Sequence, residues 1–449
     1  VEVKREDEKV GQACDVVVIG GGPAGATTAA RLAERGRQVV LLEKGHHPRF
    51  HIGESLLPMT LPLLEELGVL DEVHARIGML KPGAEFNSDT HPKHRQVYYF
   101  REAWDKRYPY AYEVRRSEFD EALFRNAACK GADAREGVRV TGVEFRAAGG
   151  ARVCAVDESG AEQIWETRFV VDATGRDTLL SRRFDLRERN PAHNSAALFG
   201  HFNNVERRDG DDAGNISVYW FDHGWFWMIP LRDGTMSVGA VCWPEYLRGR
   251  DCSPAEFLMR TIALSPGMQA RMAGAALIGE VQATGNFTYL SKMAYGAGYL
   301  LVGDAFAFLD PVFSSGVHLA ITGGFEAAAT VDAVLDRPAD AARLCARYER
   351  RLRRGMKTFS WFIYRFNTHA MQNLFLSPRN TFRMLEAVTT LLAGDVFRRT
   401  PMDRSIGLFK LIYYITALVH LPASWAVWRR RRRNRAVVFE GGTLPVDRE

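Results

Sequence analysis

The sequence predicts an α/β fold in which a Rossmann-like βαβ unit opens the chain, an antiparallel β-sheet follows, and a helical region closes it. Three observations carry this. Asp15-Val-Val-Val-Ile19 runs directly into Gly20-Gly-Gly22-Pro23-Ala24-Gly25 and then into a helical stretch. Aromatic and β-branched residues alternate from Ser195 to Val241, as in strands. From Phe359 onward the pattern is mostly helical.

Taken in order, residues 1–13 are charged and read as a solvated tail. The run 15–19 is a buried strand, 24–35 a helix ended by Gly36, and 38–42 a second strand closed by Glu43. Helices are predicted at 56–67 and 118–128, and strands at 138–145, 151–157 and 163–172. A short strand is expected at 299–303, leading to a helix over 316–335. The chain thus divides into a core over 14–350, with a β-sheet region inserted at about 80–115 and 190–290. A helical region over 351–428 and a basic tail over 429–449 complete it.

Composition excludes several classes. The 449 residues are 46% hydrophobic and 25% charged, as in an ordinary globular enzyme. Net charge is +5, but Arg429 to Arg433 and Arg435 account for the excess, so no nucleic-acid-binding surface is expected. The six cysteines form no CxxC pair and no metal-ligand spacing, so no metal is expected. The charged start lacks a signal-peptide core, and a cytoplasmic location is the expectation. Residues 411–428 carry no formal charge and precede five arginines. They read as a docked helix, with peripheral membrane contact through 411–433 as the alternative.

The glycine loop carries the first chemical reading. Gly20 permits a tight turn, Gly22 admits a pyrophosphate, and Gly25 lets helix pack on strand. Helix-start N–H groups face the anion, and Glu43 is placed to accept from a ribose hydroxyl. A dinucleotide is therefore the expected ligand.

Later segments choose the dinucleotide. Leu301-Val-Gly303-Asp304-Ala305 resembles the second FAD motif of class A flavin monooxygenases, and Val114-Arg-Arg116-Ser-Glu-Phe119-Asp120 resembles their arginine-bearing FAD segment. Trp225-Phe-Trp227-Met-Ile229-Pro230 resembles the WxWxIP signature of the flavin-dependent halogenases. Phe308-Leu-Asp-Pro311-Val-Phe-Ser314-Ser315-Gly316 resembles their FxxPxxSxG signature. Pro48-Arg49-Phe50-His-Ile-Gly53-Glu54-Ser55 resembles their loop after the acidic strand.

The resemblance spans about residues 14–350 and implies an enzyme that uses reduced FAD, O2 and chloride or bromide to make hypohalous acid. It implies FAD contacts from Gly20, Gly22, Pro23, Ala24, Gly25, Glu43, Arg49, Ser55, Arg116, Val140, Asp172, Gly303, Asp304 and Pro311. It places halide at Ser315 and Gly316, has Trp225 and Trp227 wall off the flavin, and makes Lys81 the relay of hypohalous acid to substrate. A separate flavin reductase is implied, since one nucleotide loop is visible.

One position departs from the pattern. Tryptophan halogenases carry a glutamate where this chain has Phe313. That favours an electron-rich phenol or pyrrole, free or bound to a carrier protein, over tryptophan. The alternative reading is a halide-independent flavin monooxygenase or a flavoenzyme resembling geranylgeranyl reductase.

Overall fold

The computed structural model describes residues 11–190, 194–285, 288–419 and 429. Gln12–Ile19 forms the central strand of the first sheet, flanked in parallel by Val39–Leu42 and Glu162–Asp172. Tyr299–Leu301 and Asp133–Arg135 extend the parallel set outward. Val16, Val17 and Val18 are fully buried, which is why this strand reads as an unbroken apolar run. Helix Pro23–Ala33 packs on the sheet and on helix Ser315–Asp336.

The second sheet is assembled from two distant stretches. Its order runs Ala276–Gly285, Ala196–Asn203, Met236–Cys242, Gly224–Pro230, Ile216–Phe221, Gly83–Ser88 and Arg95–Tyr99. All neighbours are antiparallel except Ile216–Phe221 with Gly83–Ser88, which is parallel. The alternation over 195–241 locates the strands, but it carries no information on this long-range pairing.

Strand alternation sorts the Gly224–Pro230 side chains between two cores. Trp225, Trp227 and Ile229 join an aromatic cluster under helices Ala341–Ile363, His369–Leu376 and Met402–Val419. Phe226 and Met228 join a separate cluster on the opposite face.

The first strand starts at Gln12, inside the expected tail, and two other differences from the sequence reading have a local cause. The helix expected from residue 56 begins at Leu61, after a tight turn at Pro58–Thr60. Leu57 precedes a proline and is extended (φ −118°, ψ 150°), the conformation that Pro58 imposes on it. The helix expected from 118 starts at Arg116, because the Arg116 and Asp120 side chains pair across its first turn.

Helix Met402–Val419 covers the start of the apolar C-terminal segment. It buries Phe409 and Tyr413 against the aromatic cluster and leaves Leu411, Ile415 and Leu418 exposed. Among the described residues, no helix is long and apolar enough to cross a membrane. The described part gives no support to peripheral membrane contact, and residues 420–428 and 430–449 lie outside it.

Candidate functional site

A cavity of about 1080 Å³ opens at the C-terminal ends of the parallel strands and continues to the face of the second sheet. Gly20, Gly22, Pro23, Ala24, Glu43, Arg49, Ser55, Arg116, Val140, Gly303, Asp304 and Pro311 all line it. Gly25 and Asp172 stand behind its wall. A Cβ on Gly25 would lie 1.9 Å from the Gly20 carbonyl oxygen, so this glycine serves helix–strand contact. The buried Asp172 carboxylate accepts from the Thr174 and Leu180 N–H groups and the Thr174 hydroxyl, and so holds the turn after its strand.

The glycine loop is shaped for an anion. Gly20 adopts φ +106°, and a Cβ there would lie 2.3 Å from the Ala173 carbonyl oxygen. A Cβ on Gly22 would meet nothing closer than Arg49 at 4.0 Å, so the space in front of it is open for a phosphate. Glu43 accepts from the N–H groups of Gly21 (2.8 Å) and Gly45 (2.9 Å), with Arg49 at 3.3 Å. Burial works against its charge, but Arg49 and the two N–H donors hold its carboxyl below the usual range.

Asp304 faces this cavity, and among the described residues its carboxylate accepts no hydrogen bond. Burial pushes it up to about 6, opposed by the Arg176 and Arg116 charges. A half-buried carboxylate that faces the cavity without a protein donor suits a sugar-alcohol hydroxyl, the chemistry of a ribityl chain. Arg116 is fixed by Asp120 at 2.7 and 2.8 Å and donates to the Ile52 carbonyl. The open Gly22, the anchored Glu43 and the unsatisfied Asp304 together fit FAD.

At the far end the cavity meets Trp225, Trp227 and Ile229. The two indoles lie 5.9 Å apart between centroids, and Trp227 donates to the Ser237 hydroxyl at 3.2 Å. The same cavity is lined by Pro311, which opens the turn Pro311–Phe313, followed by Ser314 in the left-handed region (φ 54°) and helix Ser315–Asp336. Ser314 and Gly316 face the cavity, whereas Ser315 is buried and does not line it. A Cβ on Gly316 would project into open space. Phe313 points away, 5.5 Å from Phe366 and 6.1 Å from Phe375 between centroids.

Lys81 is 1% exposed and lies behind the cavity wall. Its ammonium donates to the Ser55 hydroxyl (2.7 Å) and the Leu56 carbonyl (2.9 Å), and sits 5.3 Å from the Phe100 ring centre. Ser55 lines the cavity, and Phe100 belongs to the aromatic cluster under the C-terminal helices. Lys81 therefore sits in the partition between the cavity and this packed cluster. Burial lowers its pKa, opposed by Glu113.

Sequence reasoning missed Glu113, and no local pattern marks it, since it is one residue of an ordinary strand. It also missed Phe50 and Phe199, which line the cavity beside the indoles and stack on each other at 6.2 Å. His318, in the helix after the turn, is packed against Thr60 and pushed down to about 4 by burial.

Residues 13–361 match the family described as FAD binding domain. The chain is 35% identical to a tryptophan 2-halogenase of Chondromyces crocatus over 75% of its own length and 64% of that protein's. It is 31% identical to the 1H-pyrrole-2-carbonyl-[peptidyl-carrier protein] chlorinase of Pseudomonas fluorescens, covering 85% of this chain and 89% of the chlorinase. Its fold is similar to a myxobacterial chondrochloren halogenase (TM-score 0.76, 34% identity, 92% and 97% covered). It is also similar to a flavoprotein/dehydrogenase of Cytophaga hutchinsonii (TM-score 0.82, 27% identity, 91% and 100% covered). The alignment with the tryptophan halogenase thus leaves about a third of that protein unmatched.

Proposed function

This chain belongs to the flavin-dependent halogenases and takes FAD as its cofactor; on that footing we propose that it halogenates an electron-rich aromatic in secondary metabolism. The substrate class is a phenol or pyrrole, free or held by a carrier protein, and a separate flavin reductase supplies reduced cofactor. When bound, reduced FAD supplies the electrons with which O2 converts chloride or bromide to hypohalous acid. The observation that carries the reading is one cavity lined by the glycine loop, by Trp225 and Trp227, and by Ser314 and Gly316.

Each residue has a separate task. Glu43, Arg49, Arg116 and Asp304 hold FAD, with Gly20 and Gly22 admitting its diphosphate. The indoles fill the space that an organic substrate would need to reach the flavin. Ser315 and Gly316 start a helix whose first N–H groups have no intrahelical partners, which suits a halide, and of the two Gly316 is the one that lines the cavity. Lys81 receives hypohalous acid at the partition and directs it to the substrate. Phe313 removes the acid that an indole needs nearby, and a phenol or pyrrole is activated without one.

The test is turnover with a flavin reductase, FAD, NADH and bromide, on phenols, free and carrier-bound pyrroles, and tryptophan. Products are read by mass spectrometry, beside Lys81→Ala. Bromine isotope doublets on a phenol or pyrrole, lost in the variant, are expected. A doublet on tryptophan, as the name of one relative would favour, overturns the substrate class but keeps the reaction. The likeness to a flavoprotein/dehydrogenase favours a second reading, a halide-independent monooxygenase or reductase. Oxygenated or reduced product formed without bromide would establish that reading instead.

A further inference from the structure

Behind the cavity wall lies a cluster of ionisable groups from four separate elements. Lys81 ends the strand Gly78–Lys81, and Glu113 lies on its antiparallel neighbour Ala111–Val114. Glu113 Oε1 is 3.9 Å from Lys81 Nζ. Glu113 is completely buried, and among the described residues neither of its carboxylate oxygens has a hydrogen-bond partner of good geometry, the Ser55 hydroxyl making only a looser approach. Ser55 pairs with Glu113 through an isolated β-bridge, and its hydroxyl accepts from Lys81. Glu54, next in the chain, is also buried; one oxygen pairs with His201 Nε2 at 2.9 Å, and the other has no partner.

A buried carboxylate with no donor is an expensive arrangement unless it binds a proton or sits beside a cation. Lys81 is the cation, and two of its three N–H donors are committed to Ser55 and Leu56. A proton on Glu113 would satisfy the same carboxylate without leaving any charge in the partition. Burial pushes Glu113 up to about 7, opposed by Lys81 and Ser55 and reinforced by the Glu54 charge. Burial lowers Lys81 at the same time. Arg116 offsets Glu54 from the adjoining helix start.

Resting on the halogenase reading, we propose that Glu113 is the proton partner of Lys81, taking the proton that the lysine must shed to present a free amine. In this step the lysine N–H bond breaks with its electron pair left on nitrogen, and an O–H bond forms on Glu113. The Ser55 hydroxyl touches Lys81, and the Ser55 backbone pairs with that of Glu113, which makes this hydroxyl the proposed path. The pair carries no net charge before or after, so the transfer needs no counter-ion in a dry partition. Hypohalous acid then meets the amine. A nitrogen–halogen bond forms, the halogen–oxygen bond breaks, and hydroxide leaves with the amine proton as water. Glu113 acts through Lys81 and is a positioning residue, not one that touches substrate.

Two measurements test this. The first is independent of turnover: infrared difference spectra of the full-length protein over a pH titration, for wild type, Glu113→Gln and Lys81→Met. A protonated-carboxyl band absent from Glu113→Gln is expected to titrate near neutrality in wild type. In Lys81→Met its midpoint should rise by about one to three pH units, because the opposing cation is gone. An unchanged midpoint in Lys81→Met overturns the coupling.

The second is the pH profile of substrate bromination. Wild type should gain rate as pH rises through the Glu113 titration, and Glu113→Gln should lack that acid limb while retaining FAD affinity. An identical limb in Glu113→Gln overturns the role. If no protein brominates anything, the halogenase reading fails, and the infrared midpoint still decides whether the proton is shared. Should Glu113→Gln not fold, the Lys81→Met midpoint alone decides it.

Discussion

Gly239 faces Trp227 across the antiparallel pair that builds the cavity wall. A Cβ at this position would lie 2.2, 2.3 and 2.6 Å from three atoms of the indole. Ordinary contact begins near 3.4 Å, so in Gly239→Ala the ring must retreat by roughly 1.2 Å. Trp227 is only 5% exposed, and the retreat would disturb its bond to Ser237. Overpacking of this kind costs about 1–3 kcal/mol. Loss of the Ser237 bond adds about 0.5–1.5 kcal/mol. Urea denaturation of Gly239→Ala should show a lower midpoint with an unchanged slope. In a Trp227→Ala background the same alanine has nothing to strike, and its cost should fall to nearly zero. An undiminished cost in that background, or no cost in the parent, would refute the claim that this glycine exists to seat the indole.

Three further outcomes follow from the site. Asp304→Asn should weaken FAD binding by about 10- to 100-fold, the value of a hydrogen bond to a charged group. Wild-type affinity should tighten as pH rises through about 6, where the carboxylate ionises; fluorescence titration against pH reads both, and a flat wild-type profile counts against the assignment. Arg116→Ala leaves Asp120 buried without its partner and should cost about 3–5 kcal/mol. Asp120 is held below the usual carboxylate range despite its burial, so its contribution is present above the unfolded pKa and lost as pH falls through the lowered one. The variant's deficit should therefore be larger in mild base than in acid, and denaturation curves at both would expose an equal deficit. Glu43 is likewise depressed, so Glu43→Gln should destabilise the apoprotein at neutral pH and progressively less as acid removes the wild-type charge; calorimetric melts over that range check the sign.

The nucleotide half of the site was legible because its determinants are local. Strand, glycine loop, helix and Glu43 occupy one continuous stretch, and Gly20, Gly22 and Glu43 stand on the cavity where their spacing puts them. Trp225 and Trp227 were legible for the same reason, since alternate residues of a strand share a face. Gly25 serves the helix–strand packing that its place in the loop predicts, whereas Asp172, expected among the FAD contacts, holds the turn after its strand and does not line the cavity.

The sequence by itself determined the α/β class, the parallel core and the dinucleotide loop, because hydrophobic period and turn chemistry act over a few residues. Only the tertiary structure decided that Gly83–Ser88 joins the sheet beside Ile216–Phe221. It alone placed the Lys81 ammonium in a dry partition and brought Glu113 to 3.9 Å from it. Those contacts join residues far apart in the chain, and their energies depend on what burial removes from water, which no local pattern records.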